Sequence, residues 1–214
     1  AFGLTEPNAG SDAGNTQTKA VLNGDEYIIN GEKAFCTNAG VASVIIFTAI
    51  IIEHGVERGI SAFVIDSDIE GMSLNPPEKK MGWRGSDTRS IFFKDMHIPK
   101  SAILGNPSKG FNNFLKTLTG GRITIGALGL GTAQGAFTIA LQYSQERKAF
   151  GKSINNFQGI SFKLSDMATQ IEASRHLVYF AAWKKDQGLP VIRESAMAKL
   201  FSSETAMYVT TEAI

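Results

Sequence analysis

Only one cysteine, Cys36, occurs in 214 residues. That excludes an internal disulfide framework and suits a reducing compartment. Charge of one sign is not in excess either: 21 Lys and Arg against 20 Asp and Glu leave a net +1, with no basic cluster. Nucleic acid and anionic membrane surfaces therefore have no electrostatic footprint to meet. Long apolar runs are missing as well. The most apolar stretch, Val44 to Ile52, is too short to span a bilayer. No initiator Met and no charged-then-apolar leader open the chain, and Thr211-Glu212-Ala213-Ile214 closes it without a glycine or proline stop. The expectation is an internal piece of a longer protein.

What is present is an ordinary globular composition, 43% apolar and 19% charged, enough for one large domain or two small ones. The first half carries strand signals. Lys19 to Leu22 alternates and closes on Asn23-Gly24; Glu26 to Ile29 follows, then Asn30-Gly31 as a hairpin signal, then Lys33 to Cys36. Val44 to Ile52 is rich in β-branched residues and suits a strand buried on both faces. Ile60 to Ile65 and Arg89 to Phe93 add two more strands.

After Asn106-Pro107-Ser108 the period changes to that of helices. Phe111, Leu115, Leu118, Ile125, Leu128 and Leu130 give an apolar stripe to a helix from about Lys109 to Glu146. Gly120, Gly121, Gly126, Gly129 and Gly131 are costly in its interior, at about 1 kcal/mol each, and call for the close approach of another backbone or a ligand. A second helix runs from Gln158 to Gln187 and stops at Gly188-Leu189-Pro190; a third begins near Ile192. The fold class expected is α+β: a small antiparallel β-barrel or sandwich over residues 1–105, then an antiparallel helical bundle over 106–214.

Three polar stretches stand out. Leu4-Thr5-Glu6-Pro7-Asn8-Ala9-Gly10-Ser11-Asp12 makes a loop rich in free N–H groups and hydroxyls, suited to a polar ring edge or a phosphate. Phe35-Cys36-Thr37-Asn38 ends a strand, where an aromatic is ordinarily core. Glu146-Arg147-Lys148-Ala149-Phe150-Gly151-Lys152 puts cations at a helix end, where they favour the dipole, but Arg also suits forked pairing with phosphate oxygens. A fourth, Met81 to Thr88, is dense and polar but is expected to be mainly structural.

Together these stretches resemble the acyl-CoA dehydrogenase family, in its order and spacing and over the whole chain, most closely the short-chain, butyryl-CoA branch. The resemblance implies FAD as cofactor, with Phe2 to Ser11 lining it and Leu4 and Thr5 at the isoalloxazine edge. Phe35 stands where the family usually has Trp and would pack on the flavin ring; the Thr37 hydroxyl would approach N5, with Cys36 a small buried filler between them. Arg147 would reach the pyrophosphate of a neighbouring subunit, with Phe150 beside it and Phe157-Gln158 at the adenine side. Ser11, Thr119 and Arg122 would meet the CoA of the substrate, Thr119 standing where Asp is usual. No metal is implied.

The reaction implied is α,β-dehydrogenation of a short-chain acyl-CoA to the trans-2-enoyl-CoA, as in fatty acid β-oxidation, with electrons passed to an electron-transfer flavoprotein. Some branches place the catalytic Glu just before the helix Arg; that position is Gly121 in this chain, so the base is expected beyond Ile214 and the 214 residues alone are expected to be inactive. The family also implies a homotetramer, located in the cytoplasm or, in a eukaryote, the mitochondrial matrix. Two other readings stay open: an acyl-CoA oxidase that passes electrons to oxygen, and a non-catalytic flavin- or CoA-binding module on the same fold. A Glu in the segment beyond Ile214 separates the last from the enzymes.

Overall fold

A computed structural model describes residues 1–214, which divide into two compact units, Ala1–Leu115 and Lys116–Ile214. The first is built on one sheet of seven strands: β1 Phe2–Gly3, β2 Lys19–Asn23, β3 Glu26–Thr37, β4 Val44–Glu53, β5 Val56–Asp66, β6 Met72–Leu74 and β7 Thr88–Pro99. Across the sheet β5 pairs β4, and β4 pairs both β1 and β2; β2 then pairs β3, β3 pairs β7 and β7 pairs β6. The α+β architecture read from the sequence holds, but the sheet is mixed. β1 and β2 both run parallel to β4, with Gly3 opposite Phe47 and Lys19 opposite Ile50. They therefore form one interrupted strand line along β4, and residues 4–18 loop out at the break.

β4 is the apolar run of the sequence, and paired on both sides it buries Ile45, Phe47, Ala49 and Ile51. Its neighbours Ile29, Phe63, Phe93, Met96 and Ile98 complete one core, with the Phe47 ring 4.5 Å from Phe93 and 5.5 Å from Phe63.

The Asn30-Gly31 hairpin does not form. β3 runs straight through it and takes a bulge against β7 between Ile29 and Gly31. The side chain of Asn30 accepts from the Asp95 N–H, and a Cβ on Gly31 would fall 2.7 Å from the Thr18 Cα. The glycine is there for close approach, which competes with turn formation for the same sequence signal. Conversely, β5 begins at Val56, ahead of the apolar segment, because His54 and Gly55, both at positive φ, close a two-residue hairpin.

The second unit holds most of helix α1 Gly110–Glu146, the small hairpin β8 Lys148–Ala149 and β9 Lys152–Ser153, and helices α2 Gln158–Asp186 and α3 Ile192–Glu212. The contacts fix their directions. Lys163 pairs Glu212 and Lys184 pairs Glu194, so α2 and α3 are antiparallel. Gly126 meets Ala198 and Gly129 meets Ser202, so α1 runs parallel to α3. By length and composition alone α1 could cross a bilayer, but it packs Ile123, Leu130 and Ala133 into the helical core instead.

Of the apolar stripe foreseen for α1 only Leu130 is buried, and most of the stripe lies off the buried face. Leu115, Leu118, Ile125 and Leu128 are exposed, whereas Ile123, Gly126, Leu130 and Ala133 are buried. The reason is the glycines: a Cβ at Gly126 would lie 3.2 Å from the Ala198 carbonyl oxygen and one at Gly129 2.9 Å from that of Ser202. α3 answers with a small, polar buried face, Ser195, Ala198, Ser202 and Thr205, leaving Met197 and Leu200 outside. Backbones approach closely where side chains are small, so size, not hydrophobicity, selects the buried face. Gly121 and Gly131 meet no neighbouring atoms, and the cost they carry in the helix is not offset by packing.

Candidate functional site

In the first unit, five of the residues singled out from sequence converge. The Ala34 N–H donates to the Thr5 carbonyl at 2.7 Å, which lays the start of the 4–18 loop along β3 beside Phe35, Cys36 and Thr37. Between Lys33 and Cys36 the β3–β7 register slips, and Phe35 sits at φ +55°. An aromatic in the left-handed region is a strained backbone that its surroundings must hold in place. The slip turns Phe35 out of the core, and the residue is 66% exposed. Backbone strain of this kind clusters at active and ligand sites, although Trp83 in the Met81–Thr88 loop, at φ +53° and exposed, shows the same combination. Cys36 points the other way, fully buried, and burial pushes its thiol up to about 11 against the pull of the Lys33 charge. Its thiol is therefore inert, and Cys36 is a buried filler between exposed Phe35 and Thr37.

The turn that follows Thr37 is held from outside. The Gly40 N–H donates to Asp87 Oδ2 at 2.7 Å and the Asn38 N–H to the Asp87 carbonyl at 2.7 Å, while Arg89 pairs with Asp87 Oδ1 at 2.8 Å. Asp87, at the end of the Met81–Thr88 loop, supports the Thr37–Asn38 segment, a role that residue type and spacing did not signal. Phe2, in β1, stacks on Phe114 at 4.4 Å between ring centres, and Ser11 lies exposed farther round the loop. No hydrogen bond joins either to the Phe35 group.

Beneath this surface lies a group that sequence reading passed over. Glu6 is 4% exposed and Lys33 fully buried, their charges 2.5 Å apart. Burial would raise the Glu6 pKa, but hydrogen bonds from Lys33, Thr16, Thr18 and the Gln17 N–H outweigh it and hold the carboxyl at about 2. With both oxygens so occupied, Glu6 is not available as a general base.

In the second unit, Arg147 follows the last turn of α1 and its carbonyl accepts from the Ile154 N–H at 2.9 Å, closing the β8–β9 hairpin. Phe150 sits at the tip of that hairpin, at φ +50° and 94% exposed, with its ring 6.0 Å from Phe157. Lys152 lies over the other ring, 4.3 Å from the Phe157 centre, and exposed Gln158 opens α2. Arg147, Phe150 and Gln158 are thus gathered at one corner. Thr119 and exposed Arg122 lie in the opposite half of α1, about 40 Å and about 36 Å from its Glu146 end at 1.5 Å per residue. Glu146 is exposed and bonded to Gln142, also at the Arg147 end.

These features define a class: a mixed sheet followed by a helical bundle, presenting a ring-facing loop on the sheet and a separate cationic hairpin on the helices. The family then follows from comparison. Residues 1–96 match the acyl-CoA dehydrogenase middle domain and residues 108–214 the acyl-CoA dehydrogenase C-terminal domain. The chain belongs to the acyl-CoA dehydrogenase family, whose members are FAD-dependent oxidoreductases. It is 51% identical over 214 residues to a probable acyl-CoA dehydrogenase of Bacillus subtilis, covering 100% of this chain and 56% of that protein. A subunit of the caffeyl-CoA reductase–Etf complex of Acetobacterium woodii is 44% identical over 215 residues, with 100% of this chain and 56% of that one covered. The butyryl-CoA dehydrogenase structure from Megasphaera elsdenii superposes with a TM-score of 0.95 at 46% identity, again over 100% of this chain and 56% of that one. The chain thus spans little more than half the length of these relatives.

Proposed function

We propose that the protein carrying this chain is a short-chain acyl-CoA dehydrogenase that binds FAD across the surfaces described above. The observation that carries the reading is the strained, exposed Phe35 set beside the Leu4–Thr5 backbone. The residues fit the cofactor: Phe35 offers a ring face, Thr5 and Thr37 offer hydroxyls, and Arg147 with Gln158 suits a pyrophosphate and a base edge. Phe2, Leu4, Ser11 and Phe150 complete the proposed FAD contacts, with Cys36 the buried filler between Phe35 and Thr37; Ser11, Thr119 and Arg122 are the proposed CoA contacts. Arg147 and Phe150 are proposed to act on the FAD of a neighbouring subunit, within a homotetramer. Similarity to an Etf-complex subunit supports an electron-transfer flavoprotein as the partner. The compartment proposed is the cytoplasm, or the mitochondrial matrix in a eukaryote.

FAD, when bound, supplies the acceptor for the β-hydride. The protein's part is to orient the thioester, exclude water and place a carboxylate at the α-proton. Glu6, Glu146 and Glu194 do not suit that last task. Glu6 is saturated, Glu146 is at the wrong end of α1, and Glu194 is paired with Lys184 and Arg193. Position 121, just before the helix Arg, is glycine. The base is proposed, as the family resemblance implies, to be a Glu outside residues 1–214. The test is to purify the full-length protein, identify the acid-released cofactor and assay acyl-CoAs of graded length with an artificial electron acceptor. FAD and fastest turnover of butyryl-CoA are expected. FMN, a colourless protein that FAD does not reconstitute, or no turnover of any acyl-CoA would overturn the reading.

A further inference from the structure

The break between β1 and β2 leaves Thr48 of β4 without a strand partner on that side, since Gly3 pairs Phe47 and Lys19 pairs Ile50. Lys33, on β3 at the far side of the interrupted β1–β2 line, fills the gap. Its ammonium reaches Glu6 Oε1 at 2.5 Å, Thr16 Oγ1 at 3.0 Å, Thr48 Oγ1 at 3.1 Å and the Leu4 carbonyl at 3.4 Å. Its stem runs past Gly3, where a Cβ would stand 3.0 Å from the Lys33 Cγ. Glu6 in turn accepts from Thr16, from the Gln17 N–H at 2.5 Å and from the Thr18 hydroxyl at 2.6 Å. One ion pair thus ties the outgoing limb of the loop, its returning limb and β4 to a single point. That point immediately precedes Ala34, which holds Thr5, and Phe35, which carries the strain.

We infer that Glu6 and Lys33 are positioning residues: their buried pair sets the Leu4–Thr5 backbone at a fixed height beside Phe35, and thereby shapes the flavin-facing surface that neither side chain touches. A pair kept only for stability would be an inefficient choice, because well-packed apolar residues of similar volume commonly replace a buried pair without loss. What apolar residues could not do is hold four polar groups of three segments in register. The inference rests on the flavin reading of this surface, and its test separates the two.

The test uses the full-length protein and the double variant Glu6→Gln/Lys33→Met, which removes both charges together. The double variant should unfold at a denaturant midpoint close to that of the parent. Without FAD, amide exchange over residues 4–11 should nevertheless quicken at least tenfold, and the FAD Kd should rise at least tenfold. Unchanged exchange and unchanged Kd in a folded double variant would overturn the inference. Thr5→Val and Phe35→Ala supply the distinction: if these too leave FAD binding unchanged, the flavin reading fails, whereas if they weaken it and the double variant does not, only the positioning role fails. Should the double variant not fold, Thr16→Val and Thr48→Val loosen the same point while keeping the pair. An increase of about threefold in Kd supports the inference, and no change in either refutes it.

Discussion

Lys33 and Phe35 stand two residues apart on β3, and their energetics pull in opposite directions. Lys33 is a buried cation whose partner Glu6 would be left as an uncompensated buried charge if it were removed. Lys33→Met alone should therefore cost about 3–5 kcal/mol in urea unfolding. The pH dependence follows from Glu6. Its folded pKa, about 2, lies below its ordinary value of 4.5. The stabilisation is thus complete above about pH 4.5 and is lost as pH falls toward 2, amounting to roughly 3 kcal/mol. Unfolding midpoints measured between pH 6 and pH 2 should drop for the parent and stay flatter in Glu6→Gln. Phe35 is the reverse case, an exposed side chain on a strained backbone. Phe35→Gly removes the left-handed penalty, roughly 1–2 kcal/mol, at some cost in chain entropy. Stability should hold or rise by up to about 1 kcal/mol while FAD affinity falls. A clear loss of stability would show that the ring serves the fold and not a ligand.

At the scale of elements, the glycines of α1 separate two kinds of site on one helix. A Cβ at Gly129 would press on the Ser202 carbonyl at 2.9 Å, whereas at Gly131 it would meet no neighbouring atom. Gly129→Ala should destabilise by about 1–2 kcal/mol, overpacking outweighing the better helix propensity. Gly131→Ala should stabilise by up to about 1 kcal/mol. Thermal unfolding of the pair checks both signs. The sequence showed that α1 needed close approach somewhere, but not which face would receive it. Its Leu and Ile residues trace a regular stripe, and nothing local reveals that Ser and Ala of α3 offer a closer partner. The same limit applies to β3. Asn30-Gly31 is a turn signal by composition, and only the packing of Thr18 makes it a bulge. The Glu6–Lys33 pair was illegible for a related reason, because 27 residues separate its members and nothing local in the sequence links them. What was legible was local: helix stops at Gly188, the Gly24 turn, the apolar β4, and the loops whose polar density marked the candidate surfaces.

For the whole molecule, one cofactor is assigned to two kinds of surface, a ring site on the sheet and a charge site on the β8–β9 hairpin. Arg147 is exposed, with its backbone alone engaged in the hairpin. Arg147→Ala in the full-length protein should leave the unfolding midpoint near that of the parent and weaken FAD by about ten- to a hundredfold, the worth of one charge-assisted hydrogen bond. Unchanged affinity in a flavin titration would reduce Arg147 to a helix-end charge. The central claim is that FAD lies against these particular segments. It is tested most directly by amide exchange on the full-length protein with and without FAD. Slower exchange on binding is expected in three stretches: residues 2–11, residues 34–38 and residues 147–158. Protection confined to other segments, or none in 2–11 and 34–38, would contradict it.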